Sequence, residues 1–120
     1  MNEGNWESAI KKLEVALRIP RMQPEYNLAM GQCYLQLDKL DDAISSFGNV
    51  VRVRPKNISG WTELLNSLYK AEMLEEAVEY AGFAFEQTEG KPIFLFYKSA
   101  FLYALGKSKE ALLNLEAGMN

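Results

Sequence analysis

Apolar residues recur along most of this chain at steps of three and four. Leu28, Met30, Cys33, Tyr34 and Leu37 form one such run, and Leu40, Ile44, Phe47, Val50 and Val51 form the next. That spacing puts apolar side chains on one stripe of a 3.6-residue helix, and no segment sustains the alternation of a strand. Pro24, Pro55 and Pro92 stand where segments end or open, because proline lacks the amide hydrogen that a helix interior needs. Short breaks fall at Gly4-Asn5, Asp38-Lys39, Glu72-Met73 and Gly106-Lys107. The pattern predicts seven helices, near 5–18, 24–36, 40–53, 58–71, 74–87, 92–105 and 108–118.

The pattern also repeats. Ala9, Ala43, Ala77 and Ala111 are each 34 residues from the next, within the blocks WESAIKKL, LDDAISSF, LEEAVEYA and SKEALLNL. Four places after each alanine comes an apolar or small residue: Leu13, Phe47, Ala81 or Leu115. A helix-forming alanine would not bring its neighbours along; a position where only a small side chain fits would. Short helices joined by short turns at this period predict an all-α stack of antiparallel helix pairs.

At these residues the chain resembles the tetratricopeptide repeat (TPR) family, whose pattern is Trp-x2-Leu-Gly-x2-Tyr, then Ala-x3-Phe, then Pro. The second repeat carries Met30, Gly31, Tyr34, Ala43, Phe47 and Pro55. The third keeps Trp61, Leu64 and Ala77 but has Leu65 for the glycine and Leu68 for the tyrosine. The fourth keeps Gly106, Ala111 and Leu115, with Ser99 as its small residue. The resemblance implies a right-handed superhelical solenoid forming one domain over 1–120. Its parts would be the second helix of an incomplete repeat (1–22) and three repeats, 24–57, 58–91 and 92–120. Small residues at these positions let helix axes approach to the lower end of about 8–10 Å.

The first and last helices both have the character of second helices, and Leu112, Leu113 and Leu115 have no polar cap after them. A solenoid end normally carries a polar outer face. The expectation is therefore a piece of a longer chain, or self-association through uncapped ends.

In a TPR stack the first helices line a concave groove. By that resemblance, one row here is Leu28, Thr62 and Phe96, the next Gln32, Asn66 and Ala100, and the third Leu35, Tyr69 and Tyr103. Gln36 and Lys70 flank the last row, and Tyr97 joins near the end or packs inside. The expected partner-binding residues are Leu28, Gln32, Leu35, Thr62, Asn66, Tyr69, Lys70 and Tyr103. Tyrosines and amides suit a peptide or protein partner, since they offer contact area at low entropy cost and hydrogen-bond a backbone. A clamp for a C-terminal carboxylate is disfavoured, because Ser59 and Glu63 stand where cations would be wanted.

Composition narrows the function classes. The 120-residue chain carries net charge −3, a pI near 5.0 and no histidine. The acidic balance leaves no basic row for nucleic acid. No apolar run reaches the ~18 residues of a membrane span. Without histidine the commonest general base and metal ligand are missing. There is no Gly-rich phosphate loop and no metal-ligand spacing. No enzyme, cofactor or metal is expected. Cys33, the single cysteine, reads as a small buried hydrophobe and leaves the compartment open, with the cytoplasm favoured. Asp41-Asp42 read as first-turn acids rather than a catalytic pair. Glu72, Glu75, Glu76, Glu79, Glu86 and Glu89 make the third repeat acidic, while Lys11, Lys12, Arg18 and Arg21 make the first basic. Both read as solvated faces; the alternative is a salt-sensitive contact between them. The functional expectation is a non-catalytic interaction scaffold, or a regulatory TPR segment within a larger enzyme or sensor.

Overall fold

The computed structural model describes residues 3–18 and 23–119. Among these are seven helices and no strand: α1 (Glu3–Ala16), α2 (Gln23–Gln36), α3 (Leu40–Val53), α4 (Ile58–Lys70), α5 (Leu74–Gln87), α6 (Ile93–Ala104) and α7 (Ser108–Met119). The expected boundaries hold to within one or two residues, with one difference in kind. Gly4-Asn5 is not a break but lies inside α1. A glycine costs a helix only about 1 kcal/mol, which the rest of α1 outweighs. Arg21 lies outside the described residues.

Turns after α2, α4 and α6 repeat on the same period as the alanines. Asp38, Glu72 and Gly106 each take a positive φ, at 57°, 60° and 80°. The amide of the following residue donates back to a carbonyl five positions earlier: Lys39 to Tyr34, Met73 to Leu68, Lys107 to Leu102, at 2.8–2.9 Å. Asp38, Glu72 and Gly106 donate to Leu35, Tyr69 and Tyr103 at 2.9–3.1 Å. This paired pattern closes a helix C-terminus and satisfies its last carbonyls while the chain reverses. Entry to α4 is held differently: the Asn57 Oδ1 accepts from the Gly60 amide at 2.6 Å, which is an N-cap. The Trp61 indole Nε1 donates to the Pro55 carbonyl at 2.7 Å, tying the loop to the helix it precedes.

The chain divides into two compact units, Met1–Ser67 and Leu68–Asn120. In the first, α2 packs on α1 and on α3. Ile10, Met30 and Cys33 form one core, with Trp6, Ala9, Leu13, Leu17, Tyr34 and Leu37 packed around it. Ala43, Phe47 and Leu65 are fully buried, and Val50, Trp61 and Leu64 nearly so. Ala43 is thus a close-contact position rather than a filler. In the second unit α6 packs on α5 and on α7, and Ala77, Ala81, Ala84 and Phe94 are fully buried.

Buried hydroxyls are satisfied locally. Ser67, Thr88 and Ser99 each donate to the carbonyl four residues earlier, at 2.6–2.8 Å. Among the described residues no buried side-chain nitrogen or oxygen lacks a partner. The ion pair between Arg54 and Glu25, 2.8 Å long, is nearly half exposed on both sides. Such a pair is worth about 0–1 kcal/mol, so packing and turn geometry, not charge, hold this unit together.

Candidate interaction surfaces

Residues at i, i+4 and i+7 share one face of a helix. That relation joins Leu28, Gln32 and Leu35 on α2, Thr62, Asn66 and Tyr69 on α4, and Phe96, Ala100 and Tyr103 on α6. The first unit holds Leu28, Gln32, Leu35, Thr62 and Asn66. There Gln32 and Asn66 are exposed, while Leu28, Leu35 and Thr62 are half-buried. The Thr62 hydroxyl donates to the Ser59 carbonyl at 3.1 Å, which leaves its lone pairs for an incoming donor.

The second unit holds Tyr69, Lys70 and Tyr103. Tyr69 and Lys70 meet in one hollow of about 580 Å³, together with Glu72, Leu74 and Ala104. A ring, an ammonium group and a carboxylate stand there with two aliphatic side chains. One face of the Tyr69 ring is already used. It stacks on Phe101 with centroids 5.9 Å apart, and Tyr69 remains 54% exposed. Tyr103 does not line that hollow. It stands 71% exposed on a second one, between α6 and α7.

Tyr97 packs inside. Its ring contacts those of Phe94 and Phe101 at 6.4 and 6.0 Å, in an aromatic row that ends on Tyr69. Phe96 is 41% exposed and lines a shallow hollow together with Ile93, Tyr97 and Ala100. Of the other residues in the hollow of Tyr69 and Lys70, the sequence marks Glu72 as part of a turn and of an acidic run, and it does not point to Leu74 or Ala104. They come from a turn and two different helices, which no local pattern brings together.

The groups with chemical potential are quiet. Cys33 is buried, and burial pushes its thiol above the ordinary range, so it stays protonated. Burial first, then the charges of Asp42, Glu14 and Cys33, pushes the Tyr34 phenol up as well. Asp41 and Asp42 are exposed in the first turn of α3, where the helix dipole favours acids. The acidic residues named on α5 and its flanking turns, and Lys11, Lys12 and Arg18 on the first unit, are all exposed. Among the described residues no cluster of three potential metal ligands occurs, and no helix is long and apolar enough to cross a membrane.

No protein-family model matches the chain, and no curated protein does. Solved structures do match in fold. MamA from Desulfovibrio magneticus RS-1 is 16% identical, with a TM-score of 0.74 over 97% of this chain and 66% of that one. MamA of strain MSR-1 is 18% identical, with a TM-score of 0.72 over 96% of this chain and 66% of that one. A thermophilic TPR protein of Thermus thermophilus is 19% identical, with a TM-score of 0.65 over 97% of this chain and 66% of that one. This chain thus spans about two thirds of the length of each. Helix order, repeat period and these likenesses agree: the chain has an all-α fold of the tetratricopeptide-repeat type.

Proposed function

We propose that this chain is a non-catalytic interaction module that binds a peptide or partner protein on the faces of its first helices, α2, α4 and α6. The observation that carries this reading is the side-chain content of those faces. Exposed amides (Gln32, Asn66) and exposed rings (Tyr69, Tyr103) stand among half-buried aliphatics, with Lys70 as the one flanking cation of the predicted set. Amides and phenols pair with a peptide backbone, and rings supply rigid contact area. Catalysis has little to draw on, since the chain has no histidine and its single thiol is buried and protonated. The partner best suited to these faces is a largely uncharged, apolar or aromatic-bearing segment.

The test is selection of twelve-residue peptides from a displayed library on the intact chain, followed by titration of the selected peptide. Truncating a buried ring at an interface commonly costs about 2 kcal/mol or more, so Tyr69→Ala is expected to weaken binding roughly 30-fold. Asn66→Ala is expected to weaken it several-fold. Unchanged affinity in both variants would remove these faces from consideration.

A further inference from the structure

The exposed side of α5 carries two rings. Tyr80 is 39% exposed and Phe83 45%, and they meet edge-on with centroids 5.9 Å apart and planes at 76°. An edge-on pair uses at most one ring face, so aromatic surface stays open to water. Carboxylates surround it. Glu76 and Glu79 stand seven and four residues before Phe83, and Glu86 three after, all on its side of the helix. With Glu75 they make four exposed glutamates on a helix that has no basic residue. None of the four pairs with a cation among the described residues. Lys98 of α6 reaches across Gly82, its Nζ 4.0 Å from where a Cβ would stand, without joining any of them.

The repeat does not require this face. At the registers of Tyr80 and Phe83, α1 has Lys12 and Val15, α3 has Ser46 and Asn49, and α7 has Asn114 and Ala117. At the register of Glu86, 34 residues earlier, stands Arg52. Rings and negative charge together are therefore particular to α5. The helix that follows in the stack, α6, is in place and packs on α5, yet both rings remain exposed. Each repeat of such a stack touches only its neighbours, so helices added beyond α1 or α7 would not cover this face.

We propose that the exposed side of α5 docks a basic helix of a partner protein. An arginine or lysine lies over the ring of Phe83, and further cations meet Glu76, Glu79 and Glu86. The chemistry of the occupant follows from desolvation. A purely apolar segment over Phe83 would strip water from carboxylates one turn away and return nothing. Lysine and arginine cover a ring with stem and charge while bringing their head groups to the carboxylates. Nucleic acid, by contrast, is repelled. A second copy of this chain is a poorer source. On its α1, Lys11 has Glu7 four residues before it and Glu14 three after, and only α6 among the seven helices is net positive, through Lys98 alone. Docking here is independent of the first-helix faces, since both rings lie on α5.

The probe is a labelled peptide of arginine and alanine, with arginines at three- and four-residue steps, titrated against the intact chain by fluorescence anisotropy. Counterparts with glutamate or glutamine for arginine accompany it. Saturable binding of the arginine peptide alone is expected. Phe83→Ala should weaken it roughly tenfold, as should Glu79→Gln combined with Glu86→Gln. Phe83→Tyr keeps the ring and should keep the affinity, as should Tyr69→Ala. Glu110→Gln combined with Glu116→Gln removes the same charge from α7 and should leave binding unchanged. All these positions are exposed, and circular dichroism verifies that the variants fold. Four results would overturn the proposal. One is no saturable binding to the folded chain. Another is equal binding of the glutamine peptide. A third is equal loss in the two glutamine pairs, which would mean attraction to net charge alone. The last is a dimer of the chain in sedimentation that Phe83→Ala abolishes, which would assign the face to a second copy.

Discussion

The ring of Phe47 lies directly on the backbone of Gly31, and through this contact α3 closes onto α2. A Cβ built on Gly31 would come within 2.6 Å of the Phe47 Cζ and 2.7 Å of its Cδ1. Phe47 is fully buried, so its ring has nowhere to retreat. Two effects oppose each other in Gly31→Ala. The helix gains about 1 kcal/mol in propensity, while overpacking costs about 1–3 kcal/mol. Contact this close in a buried pair lets overpacking win, and a lower midpoint of chemical denaturation is expected. Adding Phe47→Leu should cost less in the Gly31→Ala background than in the native one. Strict additivity in that double-mutant cycle would show that the two residues do not share the contact.

The left-handed turns make a prediction of opposite sign. Asp38 and Glu72 hold positive φ angles where the equivalent residue one repeat on is Gly106. A residue with a Cβ pays about 1–2 kcal/mol in this conformation, and glycine does not. Asp38→Gly and Glu72→Gly should each raise the melting temperature by a degree or more, and Gly106→Ala should lower it. Thermal scans in which all three variants move the same way would contradict the turn assignment.

Ala77 reports on the helix spacing in the second unit. It is fully buried, and leucine there should lower stability by about 1–3 kcal/mol through overpacking. Ala84 is buried to the same degree, yet Ala84→Ser adds one atom whose hydroxyl can bond the carbonyl four residues earlier. Its loss should be clearly smaller. Equal losses measured by urea denaturation would place the close contact elsewhere.

Burial of Cys33 gives stability a pH dependence with a definite sign. Its thiol is raised from an ordinary value of 9.0 by burial, so the unfolded chain ionises first as pH rises. The stabilising contribution is complete below that value and is lost as pH climbs through the folded one. Tyr34, raised from 10.0, adds to the same trend at higher pH. Unfolding free energy should therefore fall as pH rises above about 9, and less steeply in Cys33→Ala. A thiol reagent should also label native Cys33 far more slowly than the denatured chain; equal rates would show the thiol to be accessible.

Much of the architecture is legible in the sequence, because it rests on short-range rules. Helical spacing, the breaks at Asp38-Lys39, Glu72-Met73 and Gly106-Lys107, and the four alanines are all properties of neighbouring residues or of a fixed period. Where that reading failed, at Gly4-Asn5, a local break signal was weaker than the helix around it. The candidate faces were legible as faces, since i, i+4 and i+7 positions follow from helix geometry alone. What surrounds each side chain was not. Tyr69 and Tyr103 are the same residue in the same register, yet one carries Phe101 and the other stands in the open.

The sequence by itself determined the helices, their period and the need for small residues where they meet, because backbone geometry repeats with the chain. Tertiary structure decided which large side chain fills each small residue's place: Phe47 meets Gly31, whereas one period later Leu65 and Ala81 stand at those positions and both are fully buried. It also decided that Tyr97 joins a row of rings ending on Tyr69 and that Leu112 and Leu115 flank an open groove. Packing depends on volumes brought together from distant parts of the chain, and no local pattern records their sum.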